Sequence, residues 1–234
     1  MVDPLAENTF NCSLYNFCRN NPILRKDFDG LWDVTVHAYN DRATYGYAFL
    51  NVTDKNGYVV YSTIVRVEGT NDRKNGFNKR DCTKMNANTP TGVYKIKGWS
   101  NRLPKANRLA YGPNDILELD YIKGEAAGLR NGIHIHGGRQ ENTGGKGNGA
   151  TLKVTHGCIR MYDEDIAAMK KITELLEMLD VEEQGNKLTV TNDLYKNQDG
   201  TYSFPGETEN RNDIWKTLAT ILQINPNITI NVIK

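Results

Sequence analysis

The residues best suited to covalent chemistry lie in the segment 155–158 (Thr-His-Gly-Cys) and in an upstream His-x-His pair, His134 and His136. A cysteine attacks a carbonyl as its thiolate. A neighbouring imidazole can take the thiol proton and later return it to the leaving amine. Three of the four histidines of the protein lie in these two segments. The pattern predicts a nucleophilic-cysteine site centred on Cys158.

The immediate neighbours of the cysteine favour the same chemistry. Gly157 lets the backbone approach a substrate closely. The amides of Gly157 and Cys158 are then candidates to stabilise the oxyanion of a tetrahedral intermediate. The sequence predicts a helix from Asp163 onward, and we expect its positive end to lie near the sulfur and to lower the thiol pKa.

The two upstream histidines occupy a predicted strand over 132–136. Alternate residues of a strand share a face. We therefore expect Ile133 and Ile135 to pack into the core, while His134 and His136 point outward together. A strand of this kind would present both imidazoles to the cysteine loop.

The elements that position these residues are mostly strands. Apolar and polar residues alternate over 31–67, which is typical of an antiparallel meander, and Asn56-Gly57 within it indicates a hairpin turn. After Cys158 the apolar residues recur about every 3.6 residues, which predicts a helix over 163–180. The helix begins with three acidic residues, which its dipole favours at that end. Further strands are predicted at 93–96, 116–120 and 187–191. A loop is predicted over 69–88, and the glycine-rich segment 137–150 is predicted to be another.

The two ends of the chain differ from its centre. Residues 1–30 are polar and read as an N-terminal extension, and we assign 31–192 to one catalytic domain. The remaining residues, 193–234, are predicted to form a small α/β extension with a helix near 213–222 and a strand at 228–233. The apolar residues of that helix need a partner surface, so we expect this piece to dock on the catalytic domain.

Composition excludes several classes of function. The chain has 29 Lys plus Arg against 28 Asp plus Glu, so there is no electrostatic case for nucleic-acid binding. No apolar run reaches the roughly 20 residues of a membrane span, and residues 1–20 show no signal peptide. No CxxC pair is present. Cys12, Cys18 and Cys82 are either partners in a disulfide or unpaired thiols, and the sequence leaves both open.

The order of the two histidine elements resembles a known signature. A His-Gly element, a spacer and then [Ser/Thr]-His-Gly-Cys-apolar-Arg is similar to the signature of the L,D-transpeptidase (YkuD-like) catalytic domain. The segment 89–94 (Thr-Pro-Thr-Gly-Val-Tyr) is similar to the turn and strand that precede it in this family. The resemblance covers about residues 31–192. It implies a mainly β fold, a sandwich or barrel with one helix after the cysteine loop.

The resemblance also implies roles for individual residues. Cys158 matches the nucleophile and His136 the general base, with the carbonyl of Gly137 on the second ring nitrogen. His156 is expected to shape the oxyanion pocket as a further catalytic residue. Arg160 matches the family arginine, which either fixes the loop or receives a substrate carboxylate.

The sequence departs from the family in two places. The spacer between His136 and Thr155 has 18 residues, more than usual, and its extra length falls in the glycine-rich loop, which we expect to bulge outward over the substrate groove. His134 is not typical of its position. It either binds substrate or is a polar residue on the solvent face. We group His134, Thr155 and Arg160 as the expected substrate-binding residues.

The reaction implied by the resemblance is acyl transfer on peptidoglycan. Cys158 attacks the third residue of a tetrapeptide stem, terminal D-Ala leaves, and the thioester is resolved by an amine to form a 3→3 crosslink. The alternative is resolution by water, an L,D-carboxypeptidase, including one that acts as a secreted antibacterial effector. A minor alternative is a zinc module made from His134, His136, His156 and Cys158. We expect no cofactor or metal, a monomer without a membrane span, and a periplasmic, cell-envelope or secreted location.

Overall fold

The computed structural model describes residues 32–70, 82–101, 108–141, 151–179 and 187–207. The predicted N-terminal extension with Cys12 and Cys18, most of the glycine-rich loop, and the predicted helix and strand after residue 207 lie outside these ranges. Much of the predicted loop over 69–88 also lies outside them. The other predicted elements can be compared with the structure one by one.

The described residues form eleven strands and two helices, and most of the predicted elements are present, several of them longer than predicted. The helix predicted over 163–180 is confirmed as α2, Asp163–Leu179. The strands are β1 Asp33–Tyr39, β2 Tyr47–Thr53, β3 Val59–Arg66, β4 Gly92–Ser100, β5 Ile116–Gly124, β6 His134–His136, β7 Gln140–Glu141, β8 Thr151–Leu152, β9 Ile159–Arg160, β10 Lys187–Lys196 and β11 Tyr202–Ser203, and the short helix α1 is Arg108–Tyr111.

Eight of the strands close into a ring. Their order is β1-β2-β3-β9-β6-β5-β4-β10, and the ring closes because β10 also pairs with β1. The β1–β10 and β6–β9 pairs are parallel, and the other neighbours in the ring are antiparallel. β11 adds to the end of β10, and β7 pairs with β8 apart from the ring. The prediction of a mainly β, sandwich-like or barrel-like fold is confirmed, and the closed ring gives the sheet the topology of a barrel.

Alternation within the strands builds the core. In β1, Val34, Val36 and Ala38 are buried, while the residues between them are partly exposed. Residues spaced by two lie on one face of a strand, so each strand contributes one row of apolar side chains to the interior. The hairpin turn after β2 is confirmed, with Gly57 at a φ of 76° that suits glycine.

The helix α2 packs on the same core. Ile166, Met169 and Leu176 are buried together with the strand residues, and Ile172 packs beside them. Asp163, Glu164 and Asp165 occupy its first turn, where negative charge interacts favourably with the helix dipole. No helix among the residues that the structure describes combines the length and the apolarity needed to cross a membrane.

Strand β10 crosses the predicted domain boundary at 192/193. β10 continues to Lys196 without interruption, because residues beyond 192 still pair with β1 and β11. After β10 the chain packs back on the barrel, with Phe204 stacked on His37 at 4.1 Å and Tyr202 stacked on Tyr45 at 3.8 Å between ring centroids. Residues 193–207 are therefore part of the barrel and its outer packing.

Candidate active site

Strand register places three ionisable side chains in one row. Arg66 on β3 is the pairing partner of Arg160 on β9, and Arg160 in turn pairs with His136 on β6. Residues at paired positions of neighbouring strands project to the same face of a sheet. Cys158 lies two residues before Arg160, at the entrance to β9. The row therefore connects the predicted base to the segment that carries the predicted nucleophile.

A cavity of about 570 Å³ opens beside this row. Of the predicted site residues, Cys158, His136, His156, Thr155 and Arg160 line it. His134, Gly137 and Gly157 do not. The remaining lining residues are Tyr47, Arg66, Thr70, Ala110, Tyr111, Arg139, Thr151, Leu152, Lys153 and Val154.

His136 is held as a neutral imidazole with a defined tautomer. Its side chain is 3% exposed, and Nδ1 lies 2.7 Å from the carbonyl oxygen of Gly137. A carbonyl oxygen only accepts hydrogen bonds, so Nδ1 carries the proton and Nε2 keeps its lone pair. Burial, with a further contribution from the charge of Arg160, lowers the pKa of His136 to about 3. This is the form that a proton acceptor requires at neutral pH.

The expectation that both histidines point outward is wrong for His136. That side chain is buried against Tyr111, with 4.6 Å between the ring centroids. His134 is half-buried outside the cavity, and its Nδ1 has no hydrogen-bond partner among the described residues. Burial lowers its pKa as well. The strand does put both residues on one face, but the fold covers that face instead of exposing it.

Cys158 is half-buried, and its thiol lies 3.6 Å from the carbonyl oxygen of Gly132, to which it donates. Burial raises the pKa of the thiol, whereas a hydrogen bond from the backbone of His134 and the charges of Arg160 and Arg130 act in the opposite direction. The expected lowering of the thiol pKa by the following helix is therefore not met. Removal of water from around the sulfur outweighs the favourable charges, and the helix end itself carries three acids.

The cysteine loop is tied internally by one hydroxyl. Thr155 Oγ1 donates to the carbonyl of Cys158 at 2.7 Å and accepts from the amide of Gly157 at 3.0 Å. Thr89 Oγ1 contacts the same Cys158 carbonyl at 3.2 Å. In this conformation the Gly157 amide, a predicted oxyanion donor, already donates to Thr155. Thr155 holds the loop as well as lining the cavity.

Arg130 supports the loop from behind. It is 8% exposed, and its Nη2 donates to the carbonyl of His156 at 3.1 Å. Its Nη1 donates to the carbonyls of Cys82 at 2.9 Å and Lys84 at 2.7 Å. The 82–84 turn and the cysteine loop are thereby joined through one guanidinium. Sequence reasoning missed Arg130, because it follows a turn without periodicity or motif.

The model of the L,D-transpeptidase catalytic domain (YkuD) matches residues 48–181, which is more than half of the 234-residue chain. This chain belongs to the L,D-transpeptidase family. The activity of the family is directed at peptidoglycan. Comparison with curated proteins and with solved structures gave no significant match.

In this transpeptidase domain, the segment after His136 is fixed from two sides. The Gly138 amide donates to Asp163 Oδ1 at 2.7 Å, and Arg160 Nη1 donates to the Gly138 carbonyl at 3.0 Å. A Cβ at Gly137 would overlap the carboxylate of Asp163. A side chain at position 137 would therefore displace the carboxylate that accepts from the Gly138 amide, and Arg160 has a loop-fixing contact.

Several cavity residues of this member of the L,D-transpeptidase family were not predicted. Arg66 carried no sequence signal beyond its place at the end of a predicted strand, and its position opposite Arg160 follows from register alone. Tyr111, Arg139 and Lys153 come from segments without periodicity. Thr89 belongs to the motif at 89–94, but its hydroxyl contact with the cysteine loop was not foreseen.

The zinc alternative receives no support from the geometry. Within the described ranges, no group of three His, Cys, Asp or Glu side chains is arranged so that it could hold a metal ion. His134 lies outside the cavity that contains the other three proposed ligands. The structure therefore does not bring His134 together with His136, His156 and Cys158 into one four-ligand centre.

Proposed function

We propose that this protein is a cysteine acyltransferase that acts on the tetrapeptide stems of peptidoglycan through Cys158. The observation that carries the proposal is that the Cys158 thiol and a buried, neutral His136 line the same cavity. The carbonyl of the third stem residue, a diamino acid, is attacked and the terminal D-Ala leaves. Peptidoglycan lies outside the cytoplasmic membrane, so we assign the reaction to the periplasm or cell envelope.

In the first half-reaction, His136 Nε2 accepts the thiol proton as Sγ of Cys158 bonds to the stem carbonyl. The resting pair is neutral, because burial raises the pKa of the thiol and lowers that of the imidazole. Proton transfer therefore accompanies the attack rather than precedes it. The charges of Arg160 and Arg130 stabilise the sulfur anion as it develops.

The tetrahedral intermediate then collapses to a thioester. The bond to the D-Ala nitrogen breaks, and His136 returns its proton to that amine. The Gly157 amide is held by Thr155, so we assign oxyanion stabilisation to the backbone amide of Cys158 and to His156, whose exposed side chain lines the cavity. Gly137 acts through its carbonyl, which keeps His136 in the Nδ1–H tautomer.

The second half-reaction transfers the acyl group to an acceptor. We propose the side-chain amine of a diamino acid in a second stem, which produces a 3→3 crosslink and regenerates the thiol. His136 removes a proton from the attacking amine, and that proton returns to sulfur as the thioester breaks. Water in place of the amine gives an L,D-carboxypeptidase product, and the two acceptors are separated by experiment.

The test is mass spectrometry of purified disaccharide-tetrapeptides after incubation with the protein. We expect loss of D-Ala together with a 3→3 dimer, both absent with Cys158→Ala. The matched control is Cys82→Ala, because Cys82 is a buried thiol outside the cavity, and burial raises its pKa to about 11. This variant should retain activity.

Three other outcomes are informative. Loss of D-Ala without a dimer identifies water as the acceptor. Equal activity in Cys158→Ala would overturn the assignment of the nucleophile. Unchanged muropeptides with the wild-type protein would count against tetrapeptide stems as acyl donors.

A further inference from the structure

The cavity beside Cys158 is strongly basic. Arg66, Arg139, Lys153 and Arg160 line it, and no Asp or Glu is among the lining residues that the structure describes. The chain as a whole is close to neutral, with a formal charge of +1. Four cations around one cavity in a nearly neutral protein indicate a ligand with negative charge.

Two of the four cations are built into the wall. Arg66 and Arg160 are directly paired residues of antiparallel strands, a position in which like charges repel each other. Arg160 is 4% exposed. In both side chains Nε is buried and has no hydrogen-bond partner among the described residues. Burial of such donors is costly unless a ligand or water satisfies them.

The contacts that these arginines do make are partial. Arg66 pairs through Nη2 with the buried carboxylate of Glu68 and lies over the ring of Tyr47, 4.5 Å from its centroid. Arg160 uses Nη1 for the carbonyl of Gly138. Each guanidinium is thus fixed in orientation by one part of its fork, while its buried Nε lacks an acceptor. Fixed guanidinium forks bind carboxylates well.

We propose that Arg66, together with Arg160, binds a carboxylate of the acyl-donor stem peptide, and that this contact selects free carboxylates over amides. The proposal rests on the proposed function for the identity of the donor. Two carboxylates flank the bond to be broken, that of the terminal D-Ala and that on the side chain of a dicarboxylic diamino acid. Arg66 and Arg160 line the cavity that contains Cys158, so either carboxylate is a candidate for this contact.

The first test uses three synthetic donors: the unmodified tetrapeptide stem, the stem ending in D-alaninamide, and the stem amidated on its diamino acid. For the wild type, kcat/KM should fall at least about tenfold with one of the amides, and that amide identifies the carboxylate. Arg66→Gln should lose about tenfold on the unmodified stem and no longer distinguish it from that amide. Arg66→Lys keeps the charge but not the fork and should be intermediate.

The matched control for net charge is Lys95→Gln. Lys95 is exposed on β4 and does not line the cavity. The Lys95→Gln variant should therefore have the same preference among the three donors as the wild type. Equal use of all three donors by the wild type overturns the proposal. Retention of the full preference in Arg66→Gln also overturns it.

The second test needs no peptidoglycan. Cys158 is alkylated with iodoacetate, which carries a carboxylate, and with neutral iodoacetamide, and each rate is measured at Cys158 by peptide mapping. The rate with iodoacetate divided by the rate with iodoacetamide should be several-fold lower in Arg66→Gln than in the wild type. The same ratio should be unchanged in Lys95→Gln. An unchanged ratio in Arg66→Gln overturns the carboxylate site. A lowered ratio combined with no turnover of any stem retains the site and rejects the proposed donor.

Discussion

The guanidinium of Arg130 occupies the space that a side chain at position 157 would need. A Cβ on Gly157 would overlap Arg130 Nη2, the atom that donates to the carbonyl of His156. Gly157 also has a φ of 112°, which side chains of L-residues rarely adopt. The glycine before the cysteine is therefore required by the support behind the loop as well as by its own backbone conformation.

Arg130→Ala should weaken both the fold and the reaction. It removes the three hydrogen bonds that the guanidinium donates to backbone carbonyls, which should lower the free energy of unfolding by about 3 kcal/mol, measured in urea. A loop displaced by about 1 Å should reduce kcat about 100-fold. Arg130→Lys has a single donor nitrogen, so its stability and its kcat should lie between those of the wild type and those of Arg130→Ala. If Arg130→Ala had the kcat of the wild type, Arg130 would not be a residue that positions the loop.

Gly157→Ala should reduce kcat/KM at least about 100-fold, since the new Cβ meets Arg130 and the backbone must leave its φ. The double variant Gly157→Ala/Arg130→Ala relieves the overlap. Its loss of unfolding free energy should therefore be smaller than the sum of the single losses by about 0.5–3 kcal/mol. Strict additivity in urea unfolding would show that the two residues do not compete for space.

Thr155→Val tests the hydroxyl that joins the Gly157 amide to the Cys158 carbonyl. Valine preserves the shape but leaves a buried N–H without its acceptor, at a cost of about 1–3 kcal/mol. We expect kcat/KM to fall about tenfold. Thr155→Ser keeps the hydroxyl and should remain within about threefold of the wild type. Faster turnover in the valine variant would instead indicate that a released Gly157 amide serves as an oxyanion donor.

The rate of Cys158 alkylation by iodoacetamide should rise with pH through the range above neutrality. Burial raises the pKa of the thiol, so the thiolate fraction should still be increasing near the ordinary cysteine value of about 8.5. Cys158→Ala gives the background from other thiols. A plateau already reached below pH 7 would show a stable thiolate–imidazolium pair and contradict the neutral resting state.

Acid should destabilise the fold through His136. The unfolded imidazole takes a proton below its ordinary pKa of 6.5, whereas the folded one does so only near 3. The unfolded state therefore binds more protons in this interval, and stability is lost as pH falls from about 6.5 to 3, by up to about 1.4 kcal/mol per pH unit. Urea unfolding between pH 7 and 4 measures the slope. His136→Asn should show a shallower slope, and an equal slope would contradict the assignment.

Much of the local structure was accessible from the sequence. The 3.6-residue spacing of Ile166, Met169 and Leu176 predicted α2, and alternation predicted the first three strands, because both signals depend on neighbours along the chain. The two motif segments indicated which cysteine and which histidine to examine. The chemistry of a thiol beside an imidazole is likewise a property of residue types, so the class of reaction was predictable.

Tertiary structure alone decided how these parts meet. The pairing of Val34 with Leu188 closes the barrel, and register alone sets Arg66 opposite Arg160. The acceptor of the Gly157 amide, the support from Arg130 and the low pKa of His136 likewise depend on contacts between distant residues or on exclusion of water. Sequence patterns report the face on which a side chain lies. They do not report what covers that face, because burial is a property of the assembled chain.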